Sequence, residues 1–304
     1  MKIIILIVIL FISNISFSQK KIAITFDDLP SPHMELNDCI YTTDHLLKIL
    51  RDNNIKLTGF VNAGKTEIDT NVIYRVEQLR KWLSDGHNLE NHTYAHSDIG
   101  RAGLIEYQKD VIKGEPLVIK LMEEAGKKMK YFRHPYLYTG KTVEQKDSLD
   151  KFLKDRGYIV APVTLDNSDW LFAACYFNAV KSNNKKLADS IAASYLEYMN
   201  MMAEFFENLS QEFLGRQVNQ ILLVHANMLN ADHFDKVITM FRNRGYEFVS
   251  LDEAMTDPAY SMPDGQMKWG RSWIHRWMIA QGLKTKPDPD EPQWILDFYK
   301  EGQK

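Results

Sequence analysis

The chain has 304 residues, of which 45% are hydrophobic and 25% charged, and its formal net charge is −3. This is the composition of an ordinary globular protein. It lacks the basic excess that a nucleic-acid-binding protein needs, and we therefore expect no nucleic-acid partner.

The first 18 residues have the pattern of an export signal. An apolar run over residues 3–12 follows Lys2, and it is too short for a membrane-spanning helix, which needs about 20 residues. Ser16-Phe17-Ser18 has the small-x-small spacing of a signal-peptidase site. We predict a cleaved signal peptide over residues 1–18 and a periplasmic or extracellular mature chain without a transmembrane segment. An uncleaved N-terminal anchor is the alternative.

Seven short β-rich segments alternate with segments of helical periodicity after the signal. Strands are predicted over residues 21–26, 57–61, 87–90, 130–133, 158–165, 221–224 and 246–249. Helices are predicted over residues 35–53, 72–84, 104–125, 142–156 and 231–243. This alternation predicts a parallel α/β barrel or a doubly wound sheet. In both folds functional residues gather at the C-terminal ends of the strands.

Two segments interrupt the alternation. Residues 171–217 predict a mostly helical insertion between the fifth and sixth strands, and residues 256–304 form a tail. The tail carries Trp269, Trp273 and Trp277 at a spacing of four, which predicts one helical face that packs on the barrel. A stacking surface for sugar rings is the alternative.

The chain has two cysteines, Cys39 and Cys175. Export would permit a disulfide between them. Sequence alone does not decide whether they meet, so free thiols and a disulfide both remain open.

Polar clusters follow the first and third strands. Asp27 and Asp28 end the first strand, and such close carboxylates repel each other unless a cation or a proton lies between them. His92 and His96 follow the third strand, and their spacing of four predicts that both face one side of a helical turn. Imidazole nitrogens suit zinc or a similar divalent ion. With one aspartate of the acidic pair, the two histidines would supply the three ligands of an open catalytic metal site.

Three more polar clusters follow later strands. Arg133 ends the fourth strand and is placed to pair with one of the aspartates. Asp169 and Trp170 follow the fifth strand, and His225 directly follows the aliphatic sixth strand. Each residue alone has an ordinary structural explanation, but the five clusters together predict a metal-dependent hydrolytic site.

In this order, the five clusters resemble the motifs of the polysaccharide deacetylases of carbohydrate esterase family 4, the NodB-homology domain. The matching segments are TFDD (25–28), NHTYAH (91–96), RHPY (133–136), DNSDW (166–170) and LLVH (222–225). The resemblance implies a distorted (β/α)7 barrel of the NodB type. It implies a catalytic domain over residues 19–255, which includes the insertion at 171–217, and a C-terminal extension over 256–304 packed on the barrel.

The resemblance also implies roles for the site residues. Asp28, His92 and His96 would bind one divalent ion, usually zinc and sometimes cobalt or another metal. The proton-transfer groups would be Asp27 as general base, paired with Arg133, and His225 as general acid, oriented by Asp169. The backbone N–H of Tyr136 would help to hold the oxyanion, and Trp170 would form a wall of the acetyl pocket.

The implied function is deacetylation of N-acetylated sugars in a polysaccharide or peptidoglycan. An O-deacetylase such as an acetyl xylan esterase is the alternative, and an inactive glycan-binding module or a metal-free ring-opening hydrolase is a more distant one. The sequence departs from the family pattern at Leu29, at His134, in the VHAN end of the sixth strand (224–227), in the insertion and in the tail. We expect these departures at the rim of the substrate groove or in its surroundings. The oligomeric state is left open.

Overall fold

The computed structural model describes residues 19–302, so the predicted signal peptide lies outside the described residues. Among the residues it describes, no helix combines the length and the apolar character needed to cross a membrane.

All seven predicted strands are present and lie in one parallel sheet. They are β1 (Lys20–Leu29), β2 (Thr58–Val61), β3 (Asn88–Asn91), β4 (Tyr131–Phe132), β5 (Ile159–Val160), β6 (Gln220–His225) and β7 (Tyr246–Phe248). The order is β5-β4-β3-β2-β1-β6, and β7 pairs with the start of β1. The sheet is curled: Leu165, which follows the edge strand β5, forms a parallel bridge with Leu222 of β6 at the other end of the strand order. The prediction of a distorted parallel α/β barrel is confirmed.

Helices cover the sheet and connect its strands. They are α1 (Leu36–Asp52), α2 (Val72–Ser84), α3 (Ile99–Ala102), α4 (Leu104–Glu124), α5 (Val143–Asp155), α6 (Asp169–Lys181), α7 (Lys185–Leu214), α8 (Met228–Asn243), α9 (Leu251–Ala254), α10 (Trp273–Ala280) and α11 (Gln293–Glu301). The five predicted helices correspond to α1, α2, α4, α5 and α8. The predicted helical insertion is the pair α6 and α7.

The register between β1 and β6 brings two functional strand ends together. The strands pair continuously from Ile22 opposite Gln220 to Asp27 opposite His225. Both strands are buried over most of their length, as expected for parallel strands covered on both faces. The fold therefore places an aspartate and a histidine at neighbouring positions on the same edge.

Cys39 and Cys175 are both buried free thiols. Cys175 lies on α6, where its Sγ is 3.7 Å from the backbone oxygen of Ile295 in the tail. The structure therefore contains no disulfide between the two cysteines.

Trp269, Trp273 and Trp277 of the tail do not share one helical face, which corrects the prediction from their spacing. Trp269 is 62% exposed and precedes α10, which begins only at Trp273. Trp273 and Trp277 are buried. The backbone N–H of Trp273 donates to the oxygen of Val163, and the ring of Trp277 lies 5.4 Å from that of Tyr260. Of these three tryptophans, only Trp273 and Trp277 pack into the protein.

Replacing Trp277 by alanine is expected to lower the free energy of unfolding by about 3–5 kcal/mol, because it leaves a cavity between α10 and the barrel. The matched control is Trp269→Ala, which should change it by no more than about 0.5 kcal/mol because that ring is exposed. Chemical denaturation of both variants measures the difference, and equal losses would contradict this packing.

Candidate active site

A bulge at the end of β1 brings Asp27 and Asp28 to the same cavity. Between Phe26 and Leu29 the pairing moves three residues along β1 but two along β2, which is the signature of one extra residue. Asp28 has a φ of 68°, in the left-handed region. A regular strand would send the two side chains to opposite faces, but here both carboxylates line one cavity.

The segment that carries His92 and His96 is a loop rather than the predicted helical turn. Thr93 and His96 have φ values of 66° and 55°, so the chain makes left-handed turns that a helix excludes. The Thr93 hydroxyl closes the loop by accepting the N–H of His96 at 3.0 Å. The two imidazole rings nevertheless lie 4.9 Å apart.

Helix α4 holds this loop in place. The carboxylate of Asp110 accepts the backbone N–H of Ala95 at 2.9 Å and that of Ser97 at 3.2 Å. At Gly114, a Cβ atom would lie 2.8 Å from the backbone carbon of Thr93. Glycine is therefore required where α4 approaches the loop.

Asp28, His92 and His96 form a candidate metal site. Oδ1 of Asp28 lies 3.5 Å from Nε2 of His96 and 3.8 Å from Nε2 of His92. One donor atom from each residue lies within 4.8 Å of the other two. Oδ1 of Asp28 is buried and has no hydrogen-bond partner, a costly arrangement unless a cation satisfies it. The three residues therefore fit one divalent ion.

Neighbouring groups prepare the three side chains to act as ligands. Nδ1 of His92 donates to the backbone oxygen of Arg133 at 2.8 Å, which leaves Nε2 free to bind a metal. Burial lowers the pKa of His92 and of His96, so both are neutral, as metal ligands must be. Burial alone would raise the pKa of Asp28, but Lys65 and the histidines more than offset it and hold that pKa well below its usual range.

Lys65 is a site residue that the sequence did not reveal. Its ammonium lies 2.9 Å from Oδ2 of Asp28, the oxygen that does not face the histidines. Supporting contacts of this kind orient metal-binding carboxylates. Lys65 stands in the short 3-10 helix Ala63–Thr66 after β2 and belongs to no recognisable motif.

Asp27 is paired with the fully buried Arg133. Both carboxylate oxygens of Asp27 lie 3.4 Å from Nη1 of Arg133. The guanidinium also donates to the backbone oxygen of Ala161 and to the hydroxyl of Thr25. Burial raises the pKa of Asp27 to about 6, against the opposing effect of Arg133. A carboxylate with this pKa is suited to accept a proton near neutral pH.

His225 is held by Asp169, which is itself fully buried. Nδ1 of His225 donates to Oδ1 of Asp169 at 2.7 Å, and Oδ2 accepts the backbone N–H of His225 at 2.8 Å. The side-chain amides of Asn227 and Asn230 donate to the same Oδ2. Burial alone would lower the pKa of His225, but Asp169 overcomes it and raises the pKa to about 9. His225 is therefore protonated at neutral pH.

The structure brings the nine predicted site residues together around a cavity of about 660 Å³. Seven of them line it: Asp27, Asp28, His92, His96, Tyr136, Trp170 and His225. Arg133 and Asp169 lie directly behind it. Tyr136 is 59% exposed and Trp170 is 50% exposed, so both side chains lie at the mouth of the cavity. Asp166 also lines the wall, and burial raises its pKa to about 7.

Two of the expected rim residues lie elsewhere. Leu29 is fully buried and packs over Gly59. His134 is buried beside Phe132, with Nδ1 3.4 Å from the hydroxyl of Tyr107. Neither side chain lines the catalytic cavity, because the bulge in β1 and the turn after β4 direct them into the core.

The tail supports the cavity at two places. At Gly270 a Cβ atom would lie 1.6 Å from the backbone oxygen of Tyr136, so the tail backbone packs directly on the Tyr136 turn. The hydroxyl of Ser168 donates to Glu291, and the ring of Tyr299 lies 5.7 Å from that of Trp170 in an edge-on arrangement. The sequence gives no sign of these contacts, because each joins segments more than 100 positions apart.

Part of the chain matches a known protein family. Residues 14–151 match the family model of the polysaccharide deacetylases. The chain is 27% identical over 236 residues to a peptidoglycan-N-acetylglucosamine deacetylase of Bacillus cereus. The aligned residues cover 77% of this chain and 68% of the relative. It is 24% identical over 237 residues to a peptidoglycan-N-acetylglucosamine deacetylase of Listeria monocytogenes, covering 78% of this chain but only 39% of that protein.

A solved structure supports the fold. It is that of a family 4 acetyl xylan esterase from Clostridium thermocellum in complex with a cobalt ion, with a TM-score of 0.50 and 21% identity over 78% of this chain and 91% of that chain. At the level of the family, the predicted enzyme class, a hydrolase of carbon–nitrogen bonds, is confirmed. The resemblance to the polysaccharide deacetylases is confirmed over residues 14–151, which hold the first three of the five motifs.

Proposed function

We propose that this protein is an exported, metal-dependent hydrolase that removes acetyl groups from N-acetylated sugars of a polysaccharide or peptidoglycan. One observation carries the proposal: the unpartnered oxygen of Asp28 faces two imidazole nitrogens in a cavity that also holds Asp27 and a histidine paired with a buried carboxylate. The Bacillus cereus and Listeria monocytogenes relatives are both named as N-acetylglucosamine deacetylases, which supports an N-acetyl substrate.

Asp28, His92 and His96 would hold the ion, which we expect to be zinc, with cobalt or another divalent metal as the alternative. The chemistry that a divalent ion supplies in such a site is polarisation of a carbonyl group and a lowered pKa of water. Lys65 and the backbone oxygen of Arg133 keep the ligands oriented.

Two proton-transfer groups of this chain complete the reaction. Asp27 accepts a proton from the water whose oxygen bonds to the acetyl carbon, and Arg133 keeps that carboxylate ionised and oriented. His225 donates a proton to the amide nitrogen as the carbon–nitrogen bond breaks, so that acetate and an amine leave. The backbone N–H of Tyr136 would stabilise the negative charge on the acetyl oxygen, and Trp170 would enclose the methyl group.

Replacing Asp169 by asparagine is expected to move the alkaline limb of the pH–kcat profile to lower pH. His225 must be protonated to act as an acid, so wild-type activity is present below its pKa and is lost as the pH rises through about 9. Without the carboxylate, burial dominates, and the pKa of His225 falls towards or below its ordinary value of 6.5. A profile whose alkaline limb stays in place would show that His225 is not the acid.

An O-deacetylase is the second candidate, because the same groups cleave an ester and the structure with the shared fold is named an acetyl xylan esterase. Acetate release from N-acetylated glycan oligomers, measured beside release from acetylated xylan, separates the two. Faster release from the xylan would overturn the N-acetyl preference. Glycan binding without acetate release from either substrate would instead favour an inactive binding module.

Export is proposed from the pattern of residues 1–18. Sequencing the N-terminus of the mature protein tests it: a chain beginning after Ser18 is expected, and an intact N-terminus would favour the anchor.

A further inference from the structure

A chain of hydrogen bonds runs from the C-terminal end of α5 to the loop over residues 92–96 (the metal loop). Its members lie at the ends of α5, β5 and β3 and in the middle of α4. In order from the outside, the side chains are Arg156, Glu115, Tyr158 and Asn91. The proposed reaction assigns no role to any of them.

Asn91 shapes the backbone where the metal loop begins. It is fully buried at the end of β3, and its Oδ1 accepts the backbone N–H of Thr93 at 2.8 Å, so that the contact spans the ligand His92. An asparagine that bonds to the backbone two residues further along fixes a turn. Thr93 has a φ of 66°, which a β-branched residue rarely adopts. The Asn91 amide therefore holds the backbone on both sides of His92.

The orientation of the Asn91 amide depends in part on Tyr158. Nδ2 of Asn91 donates to the backbone oxygen of Val111 at 3.1 Å and to the hydroxyl of Tyr158 at 2.7 Å. Tyr158 is buried, so without its hydroxyl one hydrogen of the amide would stay unpaired in the interior, which is costly. The hydroxyl thus favours the orientation in which Oδ1 faces the N–H of Thr93.

The hydroxyl of Tyr158 is itself oriented by Glu115. It donates to Oε1 of Glu115 at 3.1 Å. A carboxylate accepts hydrogen bonds and donates none, so the hydroxyl hydrogen points at Glu115 and the oxygen remains free to accept from Asn91. Arg156 donates from Nε to Oε1 at 2.8 Å and from Nη2 to Oε2. Such a two-point contact holds a carboxylate in one orientation.

We propose that Tyr158 is a positioning residue for the metal site, which acts through Asn91 on the backbone of the metal loop. The inference rests on the proposed function, since it takes His92 and His96 as ligands, and it adds a residue that does not line the catalytic cavity. Ligands that are held in place before an ion arrives need less ordering when it binds. Loss of the Tyr158 hydroxyl should therefore weaken metal binding without removing a ligand.

The test removes this hydroxyl and keeps the ring. The variant is Tyr158→Phe, and the matched control is Tyr131→Phe. Tyr131 is also buried and its hydroxyl also donates to a carboxylate, but that carboxylate is Asp252 of α9. Calorimetric titration with zinc and with cobalt measures metal affinity. Hydrogen exchange of the Thr93 amide, followed by NMR in the metal-free protein, measures the hold on the loop, and chemical denaturation of the metal-free protein measures stability.

We expect Tyr158→Phe to raise the zinc dissociation constant by about tenfold, the lower end of the range for loss of a supporting hydrogen bond. Exchange of the Thr93 amide in the metal-free variant should accelerate by about the same factor, because the loop opens more often. Tyr131→Phe should keep both wild-type values, although each variant loses one buried hydrogen bond and a comparable amount of stability.

Wild-type zinc affinity or wild-type Thr93 exchange in Tyr158→Phe would overturn the inference and leave the proposed function intact. Equal weakening of zinc binding in Tyr158→Phe and Tyr131→Phe would also overturn it, since the effect would then be one of general stability. A wild-type protein that binds neither zinc nor cobalt would overturn the proposed function, and the inference with it.

Discussion

Replacing His92 by glutamine is expected to abolish stoichiometric binding of a divalent metal, and acetate release with it. The change removes one of three ligands, and the loss of affinity should exceed the roughly 10–100-fold that removal of a supporting hydrogen bond costs. Glutamine keeps a similar volume in a fully buried position, so the fold should survive. Metal content after dialysis and calorimetric titration with zinc measure the effect.

The control for this variant is His134→Gln. His134 is as deeply buried as His92 and is also a histidine that follows a strand, but it contacts Tyr107 and lies outside the ligand set. It should keep one metal ion per chain. Full metal binding by His92→Gln, or equal loss in both variants, would contradict the assigned ligand set.

Replacing Asp27 or Asp28 by asparagine, one at a time, is expected to affect different properties of the protein: kcat in the first case and metal binding in the second. Asp27→Asn should keep the metal and lose kcat by about 10²–10⁴-fold, the usual contribution of a general base. Asp28→Asn should lose the metal, because a neutral amide replaces the carboxylate that faces both histidines. The pair is matched in chemistry and position, so the difference cannot come from the loss of one negative charge.

Metal content and steady-state kinetics of the two variants make this comparison. An Asp27→Asn variant that lacks the metal, or one with wild-type kcat, would contradict the assignment of metal binding to Asp28 and of proton transfer to Asp27. The bulge in β1 is the structural reason to expect different roles, since it aims both side chains into the cavity. Asp27 lies 3.8 Å from His92 alone, whereas Asp28 lies within 4 Å of both histidines.

The strands and the motif positions were accessible from sequence because they depend on local patterns. The run from Gln220 to Val224 is buried throughout, and a short aliphatic run followed by a histidine marks a strand end at the mouth of a parallel sheet. Since the carboxyl ends of parallel strands meet at one edge, residues after different strands could be assigned to one site before any distance was known.

The geometry inside the site was not accessible, because it depends on backbone irregularities and distant partners. The spacing of His92 and His96 suggested a helical turn, but left-handed residues form a loop instead. Asn227 and Asn230 donate to Asp169 from 58 and 61 positions away. No periodic pattern encodes such contacts.

The tail shows the same limit. A spacing of four suggested that Trp269 belongs to a helical face, but the helix starts only at Trp273. Gly270 and Tyr299 contact the turn of Tyr136 and the ring of Trp170, and neither residue type signals such a role. The parts of the molecule that shape the substrate groove were therefore the parts that sequence reasoning described least well.

Acetate release from an N-acetylated glycan oligomer, measured before and after removal of the metal by a chelator and again after zinc is added back, tests the central claim most directly. We expect acetate and free amine in equal amounts from the metal-loaded protein, loss of both after chelation, and recovery on addition of one equivalent of zinc. Release that persists in the metal-free protein, or no release from a protein that carries one metal ion per chain, would contradict the account.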